Sequence, residues 1–322
     1  MRIMVLGGTK FIGRAVTEEL HRRNHDVLVV HRGEHEPDAW VDVEHLHIDR
    51  RALPAADVRA FDPDVVVDTC AMSRPDAEQA VHAIPASTRC VVLSSMDVYE
   101  AYGQLLSGRA SQAVPLTEDS PLRSSRFPYR GRYEGMEDYE KLDVEEIYRS
   151  RGAVVCRLPV VFGPHDDQQR EAFILRRVRA GRDRIPFGPG TWLWSRLHVG
   201  DAACGIAAAA ETSAMEDDVL NIGPSTTMTV RQWAKAILSS SGADATLINV
   251  PEASLPADLW LSGVIGQHLL ADSSKARACL GWQDRDTREA VADSVQWHLA
   301  RGFETGIDWA EDDAALAAAT AP

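Results

Sequence analysis

The sequence predicts a doubly wound α/β fold: a parallel Rossmann sheet with a smaller, interleaved C-terminal substrate lobe. Three observations predict it. The chain opens with a short apolar strand that runs straight into a glycine turn and a helix, Met1-Arg-Ile-Met-Val-Leu-Gly-Gly-Thr-Lys-Phe-Ile-Gly13. β-Branched runs then alternate with helical patterns through the first half of the chain. Strands separated by helices join in parallel, because each crossover carries the chain back to the same end of the sheet.

The elements follow in order. After the opening turn, Phe11, Ile12, Ala15, Val16, Glu19 and Leu20 carry a helical pattern, and Asn24 is placed to end it as a left-handed cap before the strand Asp26-Val-Leu-Val-Val30. A strand follows over 43–48. Asp64-Val-Val-Val-Asp-Thr69 is a fourth, and its unbroken β-branched run predicts burial on both faces. A helix is predicted over 76–84, then strands at Cys90-Val-Val-Leu-Ser94 and Ala153-Val-Val-Cys-Arg-Leu158. Beyond a cluster of Pro186, Gly188, Pro189 and Gly190, the run Trp192-Leu-Trp-Ser-Arg-Leu-His-Val199 reads as a strand entering a helix over 201–211. A short strand over 219–223 and a helix over 230–239, N-capped by Thr229, complete the pattern. The dinucleotide-binding domain is expected over 1–163, with 196–223 returning to it, and the substrate lobe over 164–195 and 224–313. The Ala-rich tail 314–322 has little to bury and is expected to fray.

Composition narrows the function. The chain of 322 residues has 48 acidic against 34 basic side chains and a formal net charge of −14, which argues against nucleic acid as a partner. No apolar run approaches the length of a membrane span and no leader precedes the first strand, so a cytoplasmic protein is expected. The five cysteines are scattered without Cys-x-x-Cys spacing and read as free thiols. His45 and His47 would share one face of a strand, but no third ligand is visible nearby, so no metal site is expected.

The strand-turn-helix opening suits a dinucleotide pyrophosphate. Gly7 can adopt the angles of a tight turn, Gly13 lets the helix pack closely on the sheet, and the helix N-terminus offers N–H groups to phosphate. Several further motifs accompany it. They are Ser94-Ser-Met-Asp-Val-Tyr99, Pro115-Leu-Thr-Glu-Asp-Ser-Pro121, Lys141-Leu-Asp-Val-Glu145, Arg157-Leu-Pro-Val-Val-Phe-Gly-Pro164 and Arg196-Leu-His-Val-Gly-Asp201. In that combination and order the chain resembles the extended short-chain dehydrogenase/reductase superfamily, in its NAD-dependent epimerase/dehydratase group. Within that group it is similar to an atypical branch, the chloroplast stem-loop-binding proteins and their bacterial relatives, which carry a basic residue where Lys10 stands.

The resemblance implies a cofactor site built from Gly7, Thr9, Lys10, Phe11, Ile12 and Gly13, with Asp49 as the adenine-contacting acid and Lys141 on the nicotinamide ribose. Lys10 replaces the middle glycine of the family's Gly-x-x-Gly-x-x-Gly, and the second strand ends in His31-Arg32, not in the carboxylate that would bond an NAD ribose. Lys10 and Arg32 therefore point to NADP(H) over NAD, since a guanidinium can pair a 2′-phosphate through its planar fork.

Members usually carry Tyr-x-x-x-Lys, in which the lysine lowers the tyrosine pKa. Lys141 fits, but Glu137 stands four residues before it. Tyr139 is two positions away, roughly opposite on a regular helix. Either the helix begins late or is distorted and Tyr139 serves, or Glu137, Tyr129, Tyr133 or Asp97 supplies the proton relay. Ser95 aligns with the family serine/threonine that bonds the reacting oxygen, and Asp97 falls where dehydratases place an acid. Val160 stands where nucleotide-sugar enzymes have an asparagine, which removes an amide donor and argues against a standard nucleotide sugar. His165, Arg170, Trp192, Trp194, Arg196 and His198 are the pocket candidates.

The expected function is NADP(H)-dependent reduction, epimerisation or dehydration at a carbinol or carbonyl carbon of a small molecule, with Ser95, Tyr139 and Lys141 catalytic. The rival is a catalytically degenerate dinucleotide-binding or RNA-associated protein. A homodimer through the helix around 139–148 is a family-like possibility.

Overall fold

The opening apolar run forms strand β1 (Arg2–Leu6), which lies near the middle of a seven-stranded sheet. The computed structural model describes residues 1–36, 40–105, 109–213, 215, 218–302 and 308–319. From β1 the chain passes through helix α1 (Phe11–Arg22) to β2 (Asp26–His31), and Asn24 turns it with φ +63°. Next come β3 (Glu44–His47), α2 (Ala55–Phe61), β4 (Val65–Asp68), α3 (Arg74–Ala83), β5 (Arg89–Ser95), α4 (Glu100–Gln104), α5 (Lys141–Arg149) and β6 (Val154–Leu158). Helix α3 starts two residues earlier than periodicity alone predicts, because Ser73 caps it. The Ser73 hydroxyl and amide both donate to Asp76, at 2.8 and 3.1 Å.

The second half adds β7 (Val160–Phe162), α6 (Ala172–Arg179), β8 (Arg184–Phe187), β9 (Arg196–His198), α7 (Val199–Glu211) and β10 (Val219–Asn221). It ends with α8 (Val230–Ser241), β11 (Thr246–Asn249), α9 (Ser274–Leu280), α10 (Thr287–Arg301) and α11 (Ala310–Ala318). Thr229 caps α8 in a box with Gln232. The expected long strand over 192–199 is shorter in the structure. Only Arg196–His198 pairs in a ladder, with β7, while Leu193 and Trp194 make isolated bridges to Thr229 and Leu269.

The large sheet has the order β10-β6-β5-β4-β1-β2-β3, and every pairing in it is parallel. It is doubly wound, and chain order reverses between β1 and β4, where open sheets of this kind receive ligands beyond their carboxyl ends. Residues alternate between two buried faces. Ile3 and Val5 pack with Val16 and Leu20 of α1 and Ile206 of α7, while Met4 and Leu6 pack with Ala77 and Ala80 of α3 and Val144 and Tyr148 of α5. A third core, containing Phe187, Trp192, Trp233, Ile237, Val291 and Val295, lies among the β8/β11 pair, α8 and α10.

The expected fraying tail is corrected over its described part. α11 docks, with Ala315 buried and Asp312 paired with buried Arg177 at 2.6 Å. The anchor lies before the Ala-rich stretch, in an acidic first turn that composition alone did not connect with Arg177. Residues 320–322 lie outside the described residues.

Candidate active site

The glycine turn sits at the carboxyl end of β1. Gly7 has φ +85° and its amide donates to Val30 O at 3.0 Å. A Cβ on Gly13 would stand 2.2 Å from Gly7 O, so the first turn of α1 comes against the strand end only because that side chain is hydrogen. Thr17 braces the turn from within α1 through Oγ1 contacts to Gly8 O at 3.2 Å and Gly13 O at 3.0 Å. The first helical bond runs from Arg14 N to Lys10 O, which leaves the amides of Phe11, Ile12 and Gly13 ahead of the ladder as helix geometry requires. Phe11 holds φ +36°, a strained value for a bulky residue, directly in this turn. Thr9 is buried and Lys10 is exposed with an extended backbone.

The outer end of the cleft is wet. Arg32 follows β2 and pairs with Glu34 at 2.8 Å, both side chains more than three-fifths exposed. Asp49 follows β3 and accepts from Arg51 N at 2.8 Å, capping a short turn. Arg50 points inward instead and clamps Asp68 at the end of β4, which also accepts from Tyr148. Burial pushes the Asp68 carboxyl up, but the Arg50 charge and these hydrogen bonds outweigh it and hold it below the usual range.

The carboxyl end of β5 holds a dry cluster. Asp97 Oδ2 accepts from Tyr139 OH at 2.8 Å and from Tyr129 OH at 2.9 Å. Asp97 Oδ1 is buried and finds no partner among the described residues. Ser95 Oγ accepts from Asp97 N at 3.2 Å and lies beside the Tyr139 phenol. Lys141 Nζ donates to Ala71 O at 2.6 Å and Leu93 O at 3.0 Å, 6.0 Å from the centre of the Tyr139 ring. Burial pushes the Asp97 carboxyl up, and burial together with the Asp97 charge pushes the Tyr139 phenol well above its ordinary value. Burial, helped by the Arg50 charge, pulls the Lys141 ammonium down against the opposing pull of Asp68 and Asp97.

The local backbone explains why Tyr139 and Lys141 meet. α5 begins at Lys141, and its N-cap Glu140 is extended (φ −155°, ψ 91°). Side chains on either side of one extended residue project to the same side, whereas on a helix they would diverge. Glu140 is held there because its buried carboxylate accepts from Arg123 Nη1 at 3.0 Å, Phe127 N at 2.7 Å and Leu142 N at 3.1 Å. Glu137 and Tyr133 lie exposed on the surface; Tyr133 meets the cluster through its ring, edge-on to Tyr129 at 5.7 Å. Glu145 lies beneath it and holds Ser94 at 2.6 Å and Arg157 at 2.7 Å.

A cavity of about 340 Å³ opens in the second half of the chain, lined in part by Arg170, Arg176, Trp194, Arg196, Trp233 and Asp258. The Arg196 guanidinium lies 4.6 Å from the Trp194 ring centre and 4.1 Å from that of Trp233, and burial pulls its pKa down to about 9. Val160 lines the same cavity. Of the other pocket candidates, Trp192 is fully buried in the core, stacked on Trp194 at 5.1 Å, and its indole donates to Leu261 O. His165 packs on Trp297, and buried His198 lies 3.1 Å from Asp293. Sequence reasoning passed over Tyr129 as a partner of Tyr139, Arg123 as the anchor of Glu140, and the Arg50–Asp68 pair. Their spacings of 10, 17 and 18 residues carry no periodic signal.

The fold and this cluster define a dinucleotide-dependent enzyme of the short-chain dehydrogenase/reductase type. The chain belongs to the NAD dependent epimerase/dehydratase family, whose model matches residues 3–223, and its cofactor is a nicotinamide dinucleotide. Among characterised relatives it is 24% identical to chloroplast stem-loop binding protein of 41 kDa b from Arabidopsis thaliana, over 98% of this chain and 84% of that one. It is 23% identical to 2′-dehydrokanamycin reductase from Streptomyces kanamyceticus, over 100% and 93%. Its fold matches a UDP-glucose-4-epimerase from Stenotrophomonas maltophila solved with NAD and a formylated UDP-arabinopyranose (TM-score 0.73, 18% identity, 94% and 98% coverage). It also matches a UDP-glucose 4-epimerase from Thermotoga maritima with UDP-glucose (TM-score 0.68, 19% identity, 92% and 98% coverage). No helix among the described residues is long and apolar enough to cross a membrane.

Proposed function

We propose that the protein is an NADP(H)-dependent oxidoreductase, epimerase or dehydratase acting on a carbinol or carbonyl carbon of a small molecule other than a standard nucleotide sugar. The observation that carries this reading is the buried Tyr139–Asp97 pair beside Lys141, with half-buried Ser95 hydrogen-bonded to Asp97 N, at the end of β5. The glycine turn fits a dinucleotide: a Cβ on Gly7 or Gly13 would strike Cys70 or Gly7 O, so only glycine lets the strand end and the leading amides of Phe11, Ile12 and Gly13 come together. In this reading Gly7, Thr9, Lys10, Phe11, Ile12 and Gly13 hold the pyrophosphate, Asp49 the adenine, and Arg32 with Lys10 the 2′-phosphate. When bound, the nicotinamide supplies or accepts the hydride.

Ser95 polarises the substrate oxygen. Tyr139 moves the proton to or from it, and the Asp97 carboxylate with Tyr129 orients the phenol. Lys141 has three donors and spends two on main-chain carbonyls, leaving the third for a ribose hydroxyl. Residues 1–163 with 196–223 form the dinucleotide-binding domain of this proposal, and 164–195 with 224–313 the substrate lobe. Val160 in the cavity wall supports a substrate without the nucleotide-sugar amide contact, and the relative named for 2′-dehydrokanamycin reduction is a reductase of a different substrate class. The guanidinium groups of Arg170, Arg176 and Arg196 fit a ring bearing acceptor oxygens.

The test is NADPH consumption against a panel of keto-sugars, aldehydes and ketones, with Ser95→Ala beside the natural chain. Turnover that Ser95→Ala abolishes supports the assignment, and undiminished turnover rejects it. The net charge of −14 supports the absence of nucleic acid from its partners. Tight RNA binding with a steep salt dependence would overturn that part.

A further inference from the structure

The outer edge of the sheet carries a polar cluster that the reaction does not use. The β2/β3 register pairs His31 directly with His47, and Val29 with His45. Paired positions in adjacent strands project to one face, so three imidazoles meet there. Their ring centres lie 4.6–5.9 Å apart. His31 Nε2 and His45 Nδ1 are 2.8 Å apart. The loop after β2 brings in Glu36, whose Oε1 is 2.7 Å from His47 Nε2 and 3.9 Å from His31 Nε2.

One donor atom from each of these four residues lies within 4.8 Å of all the others. A tetrahedral ion with bonds of roughly 2.0–2.1 Å needs donors about 3.3 Å apart, which falls inside that spread. Small side-chain rotations close the set. Three imidazoles and one carboxylate are the donors of a borderline-soft ion, and too poor in oxygen for calcium or magnesium.

We infer that His31, His45, His47 and Glu36 bind a divalent transition-metal ion of the zinc class. The expected absence of a metal site rested on finding no third ligand near His45 and His47. The third ligand is 14 residues upstream of His45, on the neighbouring strand, where only the register reveals it. Trp40 walls the site with its ring 5.3 Å from His45, and Gly33 comes close enough that a Cβ would touch the His47 ring at 3.5 Å. An ion on His31 Nε2 places that ring's proton on Nδ1, which here accepts from Gly33 N at 3.2 Å. Metal binding therefore exchanges that contact and shifts the turn after β2.

The experiment titrates Zn²⁺ and Co²⁺ into the full, untagged chain after treatment with a chelator. One ion per chain is expected, together with the strong visible absorption of four-coordinate Co²⁺ and a higher unfolding temperature. His47→Gln and Glu36→Gln each alter a side chain about half exposed, so the fold should survive both, as the unfolding temperature of the metal-free variants will verify. Each should weaken binding by at least about 10–100-fold, the loss that follows removal of even an outer partner. No saturable 1:1 uptake, or uptake unchanged in both variants, overturns the inference.

Discussion

The two ends of the nucleotide cleft are built on opposite terms. At the β5 end Asp97, Tyr139 and Lys141 are each at most 7% exposed; Tyr139 and Tyr129 donate to Asp97 Oδ2 and Lys141 to two main-chain carbonyls. At the β2 end Arg32 and Glu34 are 62% and 64% exposed and, among the described residues, pair with each other. A surface pair of that kind contributes about 0–1 kcal/mol, so Arg32 can leave Glu34 for a phosphate at little cost. The buried end has no such freedom. Its charges are fixed before any ligand arrives, which is the preorganisation that proton transfer requires and which binding alone does not. On the proposed reading, chemistry is set where substitution is expensive, and cofactor preference where it is cheap.

The largest expected effect tests the dry end. Tyr139→Phe should lower turnover by about 10²–10⁴ while leaving dinucleotide affinity nearly unchanged, as for loss of a general acid/base. Steady-state kinetics beside calorimetry will separate the two. Glu137→Gln, at an exposed position, should leave turnover intact, and a loss there would move the proton relay out of the cluster described above.

Lys141→Ala should abolish turnover and also weaken dinucleotide binding, since in the proposed reading one ammonium serves both the proton relay and the ribose. Full activity with unchanged affinity would detach Lys141 from the ribose.

The buried carboxyl gives a pH signature. Asp97 has its folded pKa raised above the ordinary value of 3.8 by burial, so its contribution to stability is complete below that value and is lost as pH rises through the folded pKa. Melting curves across that window should show the natural chain losing stability with rising pH, and Asp97→Asn should remove this part of the slope. Identical slopes for the two chains would mean that Asp97 stays charged at no cost.

The smallest effect belongs to the wet end. NADPH should bind about tenfold more tightly than NADH, equivalent to roughly 1.4 kcal/mol from one charge-assisted contact. Arg32→Ala should erase most of that ratio in calorimetric titrations, and Asp49→Ala should weaken both dinucleotides modestly. Equal affinities in the natural chain would end the preference for NADP(H).

The same contrast explains what was legible in the sequence. Strand-turn-helix order, the parallel sheet and the position of Ser95 follow from local patterns, because glycine turns and β-branched runs act over a few residues. The late start of α5 does not. It depends on Arg123 and Phe127 capturing Glu140, contacts that span 17 and 13 residues of irregular chain. Tyr129 joins Asp97 across 32 residues for a similar reason, and Arg177 pins α11 across 135. Long-range polar pairs leave no periodicity behind them, and they are what completes both the site and the C-terminal helix.

The extended N-cap of α5 changes how a catalytic spacing should be measured. One extended residue between two positions separates their Cα atoms by about 6.6 Å, and four helical steps advance about 6.0 Å along the axis. Tyr-x-Lys before a helix and Tyr-x-x-x-Lys within one therefore cover nearly the same span. Sliding a helix start by a turn converts one into the other without moving the ends. Residue counting treats these as different motifs, whereas a ligand in the proposed site would meet the same two groups at nearly the same separation.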